Sequence, residues 1–171
     1  GWAAPAETCD AGYVCFDGHC TYGPCVPRVL LLLDRSGSMV LNWAPVRASV
    51  QRLVEENPHA AIGMLPFPDG TEDDCAVTGT PAVPLGAHDA LDFASWFWGV
   101  QPWGYTPLAG ALWAVEASAE ALFEGEAGAL IVLSDGMDTC HSAPYLALEA
   151  ATKALRDEHE IRTYVIGYAF Q

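Results

Sequence analysis

The chain is 171 residues long and 51% hydrophobic, enough for one compact domain with a sizeable core plus a small appendage. Seven basic against 22 acidic side chains give a formal net charge of −15, which repels a phosphate backbone and excludes nucleic acid and anionic membrane surfaces as partners. No apolar run approaches the roughly 18–20 residues that cross a bilayer, so no membrane insertion is expected within this chain.

The chain opens on GWAAPAETC, without a starting Met or an apolar leader, as expected where a targeting segment has been removed. Residues 1–26 are read as a separate cysteine-rich knot. The stretch CDAGYVCFDGHCTYGPC carries Cys9, Cys15, Cys20 and Cys25, little aliphatic content, and neither a helical nor a strand period. Such a segment cannot bury a core and depends on cross-links. Four cysteines permit three pairings, and the interleaved one, Cys9–Cys20 with Cys15–Cys25, is the one expected. Zinc is the competing account, but the spacing lacks a close C-x2-C pair and only His19 is near. Disulfides imply an oxidising compartment, meaning extracellular, cell-surface or periplasmic.

From Pro27 onward, strand-like and helix-like blocks alternate, the pattern of an α/β domain with an open, mostly parallel sheet and helices on both faces. RVLLLLD (28–34) reads as a central strand, apolar on both faces. A helix is predicted from about Ala44 to Glu56, with Pro45 tolerated in its first turn and Asn57-Pro58 ending it. AAIGMLPF (60–67) is a second strand. AVTGTPAVPL (76–85) is a short irregular edge pairing, because its prolines cannot donate to a ladder. Helices follow over 88–100 and, as one long element, over 107–123. AGALIVLSDG (127–136) is a buried strand, 143–160 an amphipathic helix, and IRTYVIGYAF (161–170) a last strand.

In open sheets of this kind, ligands gather where loops leave the carboxyl ends of the strands. Three such loops are Asp34-Arg35-Ser36-Gly37-Ser38, Gly104-Tyr105-Thr106-Pro107 and Ser134-Asp135-Gly136. Together they offer carboxylates and hydroxyls but no thiolate or imidazole, a donor set for Mg2+, Mn2+ or Ca2+ rather than Zn2+ or copper. Alternation of Asp34, Ser36 and Ser38 in an extended loop turns all three to one side. Each loop alone has a plainer explanation, Asp34, Ser36 and Thr106 as helix caps and Ser134-Asp135-Gly136 as a turn. Their conjunction at strand ends, in one order, points to a metal site.

Asp-x-Ser-x-Ser after a first strand, Gly-x-Thr-Pro opening a helix and Asp-Gly after a later strand resemble a von Willebrand factor type A domain over residues 27–171. The resemblance implies a Rossmann-like open sheet and a metal-ion-dependent adhesion site. Ser36 and Ser38 would then ligate the ion directly. Thr106, Asp34 and Asp135 would ligate it directly or through water. The ion is expected to be Mg2+, with Mn2+ or Ca2+ as alternatives, and one coordination position is left for a carboxylate from a protein partner presenting Asp or Glu. The function implied is a secreted or surface-displayed, metal-dependent adhesion module. The alternative is a structural subunit of a larger surface assembly, with the site stabilising or vestigial. An intracellular adaptor role is disfavoured by the cysteines. Domains of this type continue past YVIGYAF with a further helix, so either the sequence is a fragment or another chain or subunit covers the C-terminal sheet face.

No enzyme is expected. A phosphoryl-transferring hydrolase would want a second acid where Ser36 stands, and neither G-x-S-x-G nor G-x-G-x-x-G is present. Among weaker candidates, Asp69, Asp73 and Asp74 in PDGTEDDC lack a regular calcium-loop ladder and read as a solvated acidic loop. Asp138 reads as a cap, with support of a metal ligand from behind as the alternative, and His141 reads as an exposed loop residue. Trp43, Trp103 and Tyr105 flank the first two metal loops as a candidate recognition rim, with core packing as the alternative. Trp96, Phe97, Trp98 and Trp113 lie in helical runs and are expected in the core. Cys75 and Cys140 fall toward the same end of the sheet and are expected to pair.

Overall fold

The computed structural model describes residues 26–69 and 75–168 and, for the backbone alone, Tyr13–Phe16 and His19–Tyr22. Those two backbone segments, β1 (Tyr13–Phe16) and β2 (His19–Tyr22), pair antiparallel, with Cys15 opposite Cys20. A hairpin was not expected of a stretch without a strand period. The signal lay in Asp17-Gly18 between the two strands, a dipeptide favoured in two-residue hairpin loops. The Cys9–Cys20 and Cys15–Cys25 pairings concern side chains outside the described residues.

The main sheet has four parallel strands in the order β4-β3-β5-β6: β3 (Arg28–Asp34), β4 (Ala61–Phe67), β5 (Gly128–Ser134) and β6 (Ile161–Gly167). β3 is central because its four leucines, Leu30 to Leu33, bury completely on both faces. Leu30 and Leu32 meet Leu112, Val115, Phe123, Ala151 and Leu155, on α3 (Leu108–Ala117), α4 (Ala119–Phe123) and α5 (Pro144–His159). Leu31 and Leu33 face the other way, toward Val46, Val50, Phe93 and Phe97 on α1 (Trp43–Glu56) and α2 (Ala90–Trp98). Burying each of these leucine, valine and phenylalanine side chains stabilises the fold by about 1.5–3 kcal/mol.

The predicted edge pairing is reduced to one antiparallel bridge, Met64 with Val83, within the proline-bearing segment. That segment runs so close to β4 that a Cβ on Gly63 would lie 2.8 Å from the Leu85 nitrogen, so Gly63 is required there. The single helix expected over 107–123 is broken at Ser118, whose N–H bonds to Val115 three residues back and tightens the turn. β6 lies at the edge of the sheet. Beyond Ile161 it is mostly open, with Tyr164, Val165 and Ile166 all exposed.

Candidate metal centre

All three predicted loops leave the same end of the sheet. β3 delivers Asp34 to its last position, where register pairs it with Phe67 of β4. The chain then turns through Ser36 into a short 3-10 helix, Gly37–Leu41, followed by α1. The second loop is drawn to the first by two backbone bonds, Gly37 N–H to the Gly104 carbonyl at 3.0 Å and Trp103 N–H to the Arg35 carbonyl at 2.7 Å. Gly104 has φ +84°, a left-handed conformation that suits glycine. The third loop leaves β5 at Ser134.

The side chains, joined through the Ser36 backbone N–H, form a continuous hydrogen-bonded chain. Asp34 is fully buried; one carboxylate oxygen accepts the Ser36 N–H at 2.8 Å and the other the Ser134 hydroxyl at 2.5 Å. The Ser36 and Ser38 hydroxyls lie 3.1 Å apart, and Ser38 donates to Asp135 at 2.7 Å. Asn42 Nδ2 approaches the other Asp135 oxygen at 3.5 Å. Thr106 is buried on the adjoining loop, its backbone held by Thr139. The cluster is graded: Asp34, Ser36 and Thr106 are buried, Asp135 is half-buried and Ser38 is exposed, so one side opens to solvent.

Burial pushes the Asp34 carboxyl above its ordinary value. The neighbouring Asp135 charge adds to this, and the bonds from Ser134 and Ser36 oppose it. No salt bridge among the described residues involves Asp34 or Asp135. A buried carboxylate beside a second one, with no cationic partner and with hydroxyls on the same side, is a site whose charge a divalent cation would balance. The donor set therefore fits the ion that the three loops predict.

Several expectations change. Trp43, a rim candidate with core packing as the alternative, is 8% exposed: its ring packs edge-on against Phe97 at 5.2 Å and its Nε1 donates to the Val100 carbonyl, so it belongs to the core and not to the rim. Trp103 and Tyr105 are exposed. Trp98, expected in the core, is 84% exposed, because α2 turns Phe93 and Phe97 inward and the next residue falls about 100° around the helix. Trp113 is also exposed, at 42%, with its ring against His141. His141 is not an exposed loop residue but half-buried, bonded to Asp138. Asp138 caps the turn it begins and reaches across to Ala109 in the first turn of α3. Asp69 accepts the Thr78 N–H at 2.6 Å, while Asp73 and Asp74 lie outside the described residues. Cys75 and Cys140 are joined by a disulfide. Ser134 and Asn42 were not singled out from sequence, since a serine before Asp-Gly reads as a turn and an asparagine before a helix as a cap.

No protein-family model and no curated protein sequence matches the chain. Among solved structures it is similar to proximal thread matrix protein 1 from the mussel byssus, at 19% identity and a TM-score of 0.61, over 85% of this chain and 38% of that one. It is similar to the manganese-loaded TRAP protein of Plasmodium vivax at 21% identity and a TM-score of 0.60, over 83% of this chain and 57% of that one. It is similar to a von Willebrand factor type A protein from Catenulispora acidiphila at 16% identity and a TM-score of 0.58, over 89% and 36%. The chain thus spans between about a third and three fifths of these proteins, and at such identities the likeness concerns architecture: the described parallel sheet with its flanking helices has the von Willebrand factor type A fold.

Proposed function

We propose that the chain is a metal-dependent protein-binding or adhesion module that works outside the cytosol, in which Asp34, Ser36, Ser38, Thr106 and Asp135 hold a divalent ion, Mg2+ first, with Mn2+ or Ca2+ as alternatives. The observation that carries this reading is the buried Asp34 carboxylate linked through Ser36 and Ser38 to Asp135 at the carboxyl ends of the strands. When bound, the ion supplies a position that accepts one carboxylate oxygen from an Asp or Glu of a protein partner. Ser36 and Ser38 present hydroxyl oxygens without adding charge, and Asp34 and Asp135 balance the divalent charge while leaving attraction for one more acidic group. Ser134 and the Ser36 N–H hold Asp34 in one orientation. Exposed Trp103 and Tyr105 beside the second loop give the partner apolar surface to rest on.

The reading is non-enzymatic: position 36 carries a serine where a hydrolase would need an acid. Support comes also from the likeness to one solved protein that holds manganese and another described as a thread matrix protein, as facts about those proteins. No helix among the described residues is long and apolar enough to cross a membrane.

Calorimetric titration of Mg2+ into the chain is the test. One saturable site, lost in Asp34→Ala, is expected; heats unchanged by that substitution would sink the metal assignment. A second reading, a structural subunit of a surface assembly, is favoured by the open face of β6, where Val165 is 70% exposed. Assembly that persists in EDTA, in a protein shown to bind Mg2+, would select it.

A further inference from the structure

Residues 138–141 contribute no ligand to the proposed centre, yet they hold two of its loops together. The Asp138 side chain is fully buried and its carboxylate takes donors from every side. Oδ2 accepts the Ala109 N–H at 2.6 Å, in the first turn of α3, and Oδ1 accepts the N–H groups of Cys140 and His141 at 2.8 Å each. His141 Nδ1 lies 3.0 Å from both oxygens, and its ring stands edge-on to Trp113 of α3, 5.1 Å between centroids. Thr139 engages Thr106 twice: its hydroxyl oxygen accepts the Thr106 N–H at 2.9 Å, and its own N–H donates to the Thr106 carbonyl at 3.0 Å. Cys140 is anchored through its disulfide to Cys75.

Thr106 stands at the end of an irregular stretch, between α2 and α3, and both of its backbone polar groups are taken by one residue from the Asp135 loop. A metal centre assembled from separate loops needs its donors held within about 0.5 Å of their bound positions, and groups that orient ligands affect metal affinity by about 10–100-fold. We propose that Asp138 and Thr139 are positioning residues that fix Thr106 relative to Asp135 and so set the affinity of the centre for its ion. The inference rests on the metal reading above. The carboxylate matters for its two oxygens: three backbone N–H groups and an imidazole converge on it, and an amide would present its NH2 to one of these donors.

The test is Mn2+ titration of the whole chain, followed by electron paramagnetic resonance, at a temperature where circular dichroism shows every variant folded. Asp138→Asn and Thr139→Val are expected to weaken Mn2+ binding by about 10–100-fold, with Thr139→Ser, which keeps the acceptor oxygen, within about threefold of wild type. Wild-type affinity in folded Asp138→Asn and Thr139→Val, alongside loss of binding in Asp34→Ala, overturns the positioning role and leaves the metal reading standing. If Asp138→Asn fails to fold, the Thr139→Val and Thr139→Ser pair decides alone. No Mn2+ binding by the wild type overturns both.

Discussion

Asp34 shows at the scale of one residue why the centre asks for a cation. Its folded pKa is raised chiefly by burial, so the proton is held more tightly in the folded than in the unfolded chain. The stability it contributes is full below the ordinary carboxylate value and is lost as pH rises through the raised one. Above the raised value, without metal, the ionised group therefore weighs against folding. Asp34→Asn is expected to leave the metal-free protein at least as stable as wild type at pH 7, while removing the rise in Tm that Mg2+ is expected to produce in wild type. That rise corresponds to about 2.7 kcal/mol at an ion concentration a hundredfold above Kd. A thermal melt series with and without Mg2+ checks both halves.

Asp138 has the opposite sign. Burial alone would raise its pKa, but the N–H bonds of Ala109, Cys140 and His141, with the His141 side chain, together outweigh it and hold the carboxyl below the ordinary value. Its contribution is present above the unfolded carboxylate value and is lost as pH falls through the depressed one. Asp138→Asn should cost about 1–3 kcal/mol at pH 7 and flatten the acid limb of the stability profile, as read by urea unfolding from pH 7 to pH 3. The spacing of Asp34, Ser36 and Ser38 was legible in the sequence because alternation in an extended loop is local. The bonds of Asp138 to Cys140 and His141 are local too and fit the cap read from sequence, whereas its bond to Ala109 was not legible, because Ala109 lies on a different element and only packing brings it near.

Among the elements, β3 was the easiest to read, since a run of four leucines between turn residues fits a strand buried on both faces. Leu31→Ala should destabilise by about 2–5 kcal/mol in urea melts, by lost transfer energy and the cavity left behind. The break at Ser118 was not legible: the apolar spacing of 107–123 fits one helix, and tertiary packing decides where a tight turn interrupts it. The rim reading of Trp43 and the core reading of Trp98 fail in opposite directions for a related reason. A helix start or end does not fix its facing, and the rotation of α1 and α2 against Leu31 and Leu33 does. The expected Cys75–Cys140 bridge rested on topology, which put both cysteines at one end of the sheet. It joins residues 65 positions apart. Replacing both by serine should lower stability by about 4 kcal/mol on loop-entropy grounds, measured by urea unfolding against wild type.

For the molecule as a whole, fold class followed from the alternation of blocks after residue 27, because parallel strands need crossover helices and these leave a periodic trace. The sequence already pointed to an uncovered C-terminal sheet face, and in the structure Tyr164, Val165 and Ile166, consecutive on the edge strand β6, are exposed on both of its faces. The net charge of −15 frames recognition. An acidic protein that captures an acidic partner must overcome repulsion, and a divalent ion at the mouth of the Asp34 cluster would neutralise the two carboxylates there and offer a local positive centre. Association with an acidic partner should therefore be lost in EDTA, and added salt alone should not restore it. The most direct measurement is diffraction at the manganese edge from crystals of the chain grown with Mn2+. A single anomalous peak within coordination distance of Ser36, Ser38 and Thr106, between Asp34 and Asp135, is the predicted result, whereas a peak elsewhere or none at saturating Mn2+ would contradict the account.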